Sequence, residues 1–116
     1  MRILKKGSCP SLSGKSTLTY HIGHKDEDVH FRLVENSQPG LFSDEWLSLQ
    51  QVDFKLASEV YSFTSSSLYA LFMGRSINSG GFLLAVLIKE GLVSNIVGKK
   101  HRYCRSDSTA FMQELL

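Results

Sequence analysis

Four basic side chains within seven residues are the strongest chemical signal in the sequence: Lys99, Lys100, Arg102 and Arg105, with His101 among them. Lysine and arginine bind phosphate oxygens, and arginine does so through two parallel hydrogen bonds. A turn bearing these residues would neutralise about three or four phosphates and release counterions, which gives affinity independent of base sequence. The alternative is a basic hairpin on an ordinary solvated surface.

The motif Gly14-Lys15-Ser16 invites comparison with nucleotide-binding phosphate loops. Such a loop requires a glycine five residues before Gly14, but Cys9 occupies that position. The residues that follow alternate like a strand, whereas a phosphate loop opens a helix whose backbone amides hold the phosphates. We therefore predict a turn before a hairpin.

The histidines and carboxylates form no recognisable metal or catalytic motif. His21 and His30 are expected to lie opposite each other on paired strands, with His24 at the loop, but no further ligands follow at zinc-site spacing. The acids of residues 26–28 lack the spacing of a calcium loop. We predict no metal, no cofactor and no catalytic residue, and hence a protein that is not an enzyme.

Cysteine usage and hydropathy set the expected compartment. Cys9 and Cys104 stand alone, which predicts two reduced thiols in a cytoplasmic protein; a disulfide between them is the alternative. The first residues are too short and too polar a stretch for a signal peptide. The longest apolar run, Phe82–Ile88, has seven residues, far fewer than the ~20 of a membrane helix. We expect no membrane association.

Residues 1–60 read as a β-rich lobe. Alternating apolar residues predict one antiparallel hairpin over residues 16–34, and pairing Ile22 with Val29 places Tyr20 opposite Phe31. An N-terminal strand is expected at Ile3 and Leu4, followed by a loop from Gly7 to Gly14.

A helix is expected after the turn at residues 36–40. Ser43 is the predicted N-cap, with acids in the first turn. Residues 51–60 fit a helix face and also alternate like a strand. Helix is favoured because the apolar spacing from Trp46 to Val60 runs longer.

Residues 61–116 read as a mainly helical lobe. Thr64–Ser67 can cap a short helix that ends at Gly74, and Asn78 or Ser79 can cap a second one that stops at Gly91. The remaining predicted elements are a hairpin of residues 92–97 with 101–105, and a terminal helix of residues 109–116 capped by Ser108.

The order helix, glycine stop, short strand, Gly-Lys-Lys turn and basic strand resembles the end of a winged helix-turn-helix domain. The resemblance covers about residues 64–105 and rests on Glu90-Gly-Leu-Val and Gly98-Lys-Lys-His-Arg-Tyr. It implies that the last helix docks on DNA and that the hairpin, the wing, touches backbone. Asn78 and Ser79 would then be placed to read bases. The apolar run from Phe82 departs from a reading helix, which usually shows Arg, Gln or Lys there, and favours burial or a protein interface.

The 116 residues, 42% of them apolar and 21% charged, predict one globular domain. The predicted fold is α+β: an N-terminal antiparallel hairpin with a helix in lobe 1–60, then a winged-helix-like lobe 61–116 with a hairpin wing. The net charge is only +2, but eight of the eleven acids fall within residues 26–59. We predict a non-enzymatic protein that binds double-stranded DNA through the wing. The alternative is a protein-interaction module that uses the apolar helix 78–90, as a homodimer or with another protein.

Overall fold

A computed structural model describes residues 1–59, 61–72 and 78–115 of the chain. Helices and antiparallel sheets are both present, which confirms the α+β class. The N-terminal half forms a four-stranded sheet and the C-terminal half a two-stranded one. No helix in the described ranges has both the length and the apolar character needed to cross a membrane.

The first sheet is antiparallel, in the order β1-β2-β3-β4. Its strands are β1 (Arg2–Pro10), β2 (Thr17–Lys25), β3 (Asp28–Asn36) and β4 (Leu47–Ser48). The alternation read from the sequence is confirmed, because one face of the central pair is buried. That face consists of Leu18, Tyr20, Ile22, Val29, Phe31 and Leu33.

The predicted hairpin between β2 and β3 exists, but its predicted register is wrong. Tyr20 lies opposite Leu33 rather than Phe31, a shift of two residues that leaves the same face buried. The loop is shorter than predicted, because Asp26 and Glu27 both adopt positive φ, 54° and 62°, and form a two-residue turn.

The register also separates two histidines that we expected to be paired. His21 lies opposite Arg32, and His30 lies opposite Gly23. Cross-strand pairing of His21 with His30 is therefore wrong.

Strand β1 is longer than the sequence suggested. It pairs with β2 as far as Pro10 opposite Thr17, so the predicted loop from Gly7 to Gly14 shortens to residues 11–16. The ring of Tyr20 explains Gly7, because a Cβ there would lie 2.7 Å from the ring carbon Cζ. This glycine marks a close approach within a strand and not a loop.

Helix α1 spans Leu49–Leu56 and begins later than predicted. Its cap is Ser48: the hydroxyl accepts the Gln51 amide at 3.0 Å, and the Gln51 side chain accepts the Ser48 amide at 2.8 Å. Ser43 as N-cap is wrong. The helical choice is confirmed for residues 51–56 and is wrong for residues 57–59, which lie beyond the end of the helix; Val60 lies outside the described residues.

The C-terminal half follows the predicted order of elements. They are α2 (Ser66–Tyr69) with a 3₁₀ turn (Ala70–Phe72), α3 (Ser79–Lys89), β5 (Val93–Asn95), β6 (Tyr103–Arg105) and α4 (Thr109–Leu115). The predicted stop at Gly74 lies outside the described residues. At α4 the Ser108 carbonyl accepts the Met112 amide at 2.9 Å, which places Ser108 at the predicted N-cap position. The Asp107 carboxylate accepts the Thr109 amide at 2.9 Å.

Helix α3 ends at the predicted glycine. Gly91 has φ 81°, and two hydrogen bonds close the helix: the Gly91 amide to the Ile88 carbonyl at 3.1 Å, and the Leu92 amide to the Leu87 carbonyl at 2.9 Å. This pair of bonds is a Schellman motif, which glycine permits because it lacks Cβ strain. The motif directs the chain from α3 into β5.

One hydrophobic core joins the two halves. Leu84 and Leu87 of α3 are fully buried, and the Phe31 ring of the sheet stacks on Phe111 of α4 at 6.1 Å. A backbone bridge between Phe63 and Tyr103 attaches β6 to the segment before α2.

Candidate nucleic-acid interface

The hairpin that the sequence predicts to be a wing consists of β5 and β6, with a tight connection at residues 96–102. We call this hairpin the wing. The Ile96 amide donates to the Arg102 carbonyl at 2.9 Å, and the Lys99 amide donates to the Ile96 carbonyl at 3.0 Å. The Asn95 side chain donates to the carbonyls of Lys99 and Arg102, at 3.2 and 2.9 Å. Asn95 therefore braces the turn from within, a role that the sequence analysis missed.

Four of the predicted contact residues lie on the wing tip: Lys99, Lys100, His101 and Arg102, all exposed. No ion pair engages them within the described ranges, where the three ion pairs lie elsewhere. The positive charges of Lys99, Lys100 and Arg102 are thus available to solvent or to a ligand.

Arg105 differs from the tip residues because the fold already uses it. Its guanidinium donates to the Asp53 carboxylate of α1 at 2.8 and 3.3 Å, and also to the backbone carbonyls of Leu92 and Ser106. Its side chain is only 24% exposed. Arg105 therefore fastens the base of the wing to α1, and the phosphate contact expected of it from the sequence stays a prediction.

Asn78 and Ser79, predicted to read bases, have different surroundings. Ser79 is fully buried, and its hydroxyl accepts the Ser43 amide at 2.8 Å. That position excludes the direct base contact expected of Ser79. Asn78 is exposed, and its amide group donates to the Leu41 carbonyl at 3.2 Å.

A groove runs over the outward side of α3, between the loop of residues 11–16 and the wing. It consists of two adjoining clefts of about 440 and 550 Å³ that share Leu12, Ser13 and Ser65. The first cleft is rich in hydroxyl groups, from Ser11, Ser13, Ser16, Ser65, Ser66 and Tyr69. The second reaches Lys100 and His101 of the wing tip. We call the two clefts together the α3 groove.

The loop that forms one wall of the groove contains Gly14-Lys15-Ser16. The Ser11 amide donates to the Ser16 carbonyl and the Gly14 amide to the Ser11 carbonyl, both at 2.9 Å. Because a strand follows this loop, the prediction of a turn before a hairpin is confirmed. Leu12 projects from it towards α3, with its Cδ1 atom 3.8 Å from where a Cβ on Gly81 would lie.

The residues of α3 that line the groove bear on the two predicted functions, base reading on DNA and binding of a protein partner. Gly81, Phe82 and Ile88 of α3 line it, and these offer no side-chain hydrogen bonds to base edges. Residues 83–87 of α3 are buried. The apolar surface proposed for a protein partner is therefore largely core, and base reading by α3 is unsupported.

The groove brings together residues that no sequence spacing relates. Residues 11–16 precede β2 and residues 64–69 precede α3, yet their hydroxyls line one cleft. Both stretches are rich in serine, and this shared composition is the only feature of the sequence that suggests a common site.

Neither cysteine lines the α3 groove. Cys9 and Cys104 are both free thiols; Cys9 is buried, and this burial raises the pKa of its thiol. Cys104 is half-buried, with its sulfur 3.5 Å from the Ser94 hydroxyl. Across the described ranges, no three His, Cys, Asp or Glu side chains are grouped to hold a metal ion.

No family model matches this chain, and neither a curated protein nor a solved structure matches it.

Proposed function

We propose that the protein binds nucleic acid, in the first place double-stranded DNA, by contacting the phosphate backbone with the wing tip. The main supporting observation is that Lys99, Lys100 and Arg102 are exposed, free of ion pairs in the described part of the chain, and held by a turn that Asn95 braces. A rigid turn loses little conformational entropy on binding, so its charge–phosphate contacts contribute more of their free energy to affinity.

The order of elements supports a winged helix-turn-helix relationship. A helix (α1), a bridging strand residue (Phe63), two further helices (α2 and α3) and a hairpin follow one another, and the hairpin is fastened to the core through Tyr103. In such a domain the wing lies against the backbone of the duplex.

We propose binding that does not depend on base sequence. The floor of the α3 groove is apolar, and Leu12 lies across the helix that would otherwise enter the major groove. Backbone contacts fix the position of a protein on DNA but give no base discrimination. The hydroxyl groups of the groove are suited to further phosphate contacts beside the wing.

The proposal is of a binding protein and not an enzyme. A cytoplasmic location is part of it, because two free cysteines fit a reducing compartment.

The test is a salt titration of binding to short duplexes of unrelated sequence, followed by fluorescence anisotropy. The triple variant Lys99→Ala, Lys100→Ala, Arg102→Ala should bind every duplex more weakly, and its salt slope should fall by about 0.9 for each lost contact. Its free energy of unfolding should stay within about 0.5 kcal/mol of wild type, since exposed charges contribute little to stability.

The matched control removes three exposed cations elsewhere: Arg2→Ala, Lys25→Ala, Lys55→Ala. This control loses three positive charges, as the wing triple variant does. Its salt slope of DNA binding should stay close to that of wild type. Equal losses in both triple variants, or no salt-dependent binding by wild type at low ionic strength, would refute the wing as the interface.

A further inference from the structure

A second basic cluster lies on the outward face of the N-terminal sheet. Lys6 of β1 is opposite His21 of β2, and His21 is opposite Arg32 of β3. Opposed residues in an antiparallel ladder project from the same face. Because the neighbours of His21 and Arg32 along their strands are buried in the core, these three side chains form one row on the face away from α3. We call it the sheet row.

Protonation of His21 has an energetic cost in the sheet row, because Lys6 and Arg32 lie on either side of it. Opposed side chains on neighbouring strands have Cβ atoms about 5 Å apart, and like charges so placed destabilise a sheet. Partial burial and the charges of Lys6 and Arg32 lower the pKa of His21. An anion above His21 would relieve this repulsion, and the long side chains of Lys6 and Arg32 flank that position.

Arg32 is held in place with a donor unused. Its guanidinium carbon lies 5.8 Å from the centroid of the Trp46 ring, within range of a cation–π interaction. Within the described ranges its buried Nε atom has no hydrogen-bond partner. Its contact with the Asp44 carboxylate is long, 3.5 Å, and the Asp44 side chain is 73% exposed. The Arg32 side chain is 40% exposed although its Nε atom is buried, so a ligand would reach the rest of the side chain and not Nε.

The row carries the positive charges of Lys6 and Arg32, and three acids lie near it. Asp44 is the acid in contact with it, and Glu45 lines a small cavity together with Arg32. Glu35 is opposite Thr19, two positions along the ladder from the His21–Arg32 pair. His30 lies opposite Gly23, two positions from the His21–Arg32 pair in the opposite direction along the ladder. Its ring nitrogen contacts the Asp28 carbonyl. No carboxylate is paired with Lys6 or His21 in the described part of the chain.

We propose that the sheet row is a binding site for a phosphate group, with Lys6 and Arg32 as charged donors on either side and the His21 ring as a third donor between them. Charge-assisted hydrogen bonds from arginine and lysine are the usual means of phosphate recognition. The site goes beyond the proposed function, because it lies on the face of the sheet away from α3 and does not involve the wing.

The test follows the ring signals of His21 by NMR while inorganic phosphate is added to the whole protein. A bound anion favours the imidazolium form, so the pKa of His21 should rise on saturation, opposite to its present displacement. Lys6→Gln and Arg32→Gln should each weaken binding by about tenfold or more, the range expected for losing one charged hydrogen bond. Lys25→Gln, the same charge loss on β2, should have little effect.

Two further arms identify the source of the phosphate. Saturation by inorganic phosphate or a mononucleotide would indicate a site for free phosphate groups, and saturation by an oligonucleotide alone would indicate nucleic-acid backbone. Inorganic phosphate should shift the His21 signals of the wing triple variant as it shifts those of wild type, so failure of the wing proposal leaves this one testable. Since Lys6 is exposed, Lys6→Gln should keep the melting temperature of wild type and remain informative if Arg32→Gln unfolds.

The site is refuted if phosphate, mononucleotide and oligonucleotide all leave the His21 signals unchanged. It is equally refuted if Lys25→Gln weakens binding as much as Lys6→Gln, because the response would then reflect overall charge.

Discussion

Helix α3 and the wing are consecutive in the chain, yet their side chains have opposite surroundings. Residues 83–87 of α3 are buried, whereas residues 97–102 are exposed or nearly so. Two arginines only three positions apart show the same contrast: Arg105 is bonded to α1, and Arg102 faces solvent. Position in the fold, and not residue type, therefore separates side chains that maintain the structure from those available to a ligand.

Leu84→Ala should give the largest effect. Leu84 is fully buried, so the substitution removes apolar contacts and leaves a cavity, at a cost of about 2–5 kcal/mol of unfolding free energy. Chemical denaturation measures it. Phe54→Ala is the control, because Phe54 is 87% exposed and its loss should change stability by less than about 0.5 kcal/mol. A similar loss in both variants would contradict the assignment of α3 to the core.

Tyr20→Phe should lower the free energy of unfolding by about 1.5–3 kcal/mol, because the Tyr20 hydroxyl donates to the Glu90 carboxylate at the end of α3. Burial raises the pKa of Tyr20 above its ordinary value of 10.0, and the hydrogen bond to Glu90 and the negative charge of Glu90 raise it further. A raised folded pKa means that this stabilisation is complete below about pH 10 and is lost as the pH rises above it.

Unfolding measured from neutral to alkaline pH tests this linkage. The free energy of unfolding of wild type should fall more steeply above about pH 10 than that of Tyr20→Phe. Parallel pH profiles would show that the phenol is not linked to folding.

Gly80→Ala and Gly81→Ala distinguish two sides of α3. A Cβ at Gly80 would lie 3.0 Å from the Tyr69 amide nitrogen and 3.1 Å from the Ser65 carbonyl oxygen, so Gly80→Ala should cost about 1–3 kcal/mol. At Gly81 the nearest atom is the Leu12 Cδ1 at 3.8 Å, so alanine should stabilise by up to about 1 kcal/mol through helix propensity. Thermal melts of both variants suffice, and the reverse order of stability would contradict the packing of α2 on α3.

A comparison of Arg105→Gln with Arg102→Gln tests whether the base of the wing maintains the fold while its tip binds DNA. Loss of the Arg105 bonds to Asp53 and to backbone carbonyls should cost about 1–2 kcal/mol, and Arg102→Gln should stay within about 0.5 kcal/mol. In the DNA-binding assay the order should reverse, with Arg102→Gln the weaker binder. Equal behaviour of the two variants in both assays would remove the distinction.

Local patterns predicted what depends on near neighbours. The alternation of Tyr20 and Ile22, the stop at Gly91 and the wing hairpin are all set by residues close in sequence, and the structure confirms them. The register of β2 and β3 was missed because two acidic residues adopt left-handed backbone, which glycine or asparagine would have signalled.

The candidate site was predicted only in part for the same reason. Lys99, Lys100 and Arg102 cluster in sequence and are exposed as expected, but the partner of Arg105 is Asp53, 52 residues away. Likewise Ser79 is buried because it accepts from the amide of Ser43, and the α3 groove joins two serine-rich stretches from different halves. Contacts of this range leave no periodic trace in the sequence.

The carboxylate of Glu90 has a consequence for how the molecule unfolds. Glu90 follows the last residue of α3, and its side chain is only 5% exposed. The carboxylate accepts a hydrogen bond from the Tyr20 hydroxyl of β2 and pairs with Lys5 of β1 at 2.9 Å. Opening either half would leave this buried charge without donors. The halves should therefore melt in one cooperative transition, and neither should persist as an autonomous folding unit when expressed alone.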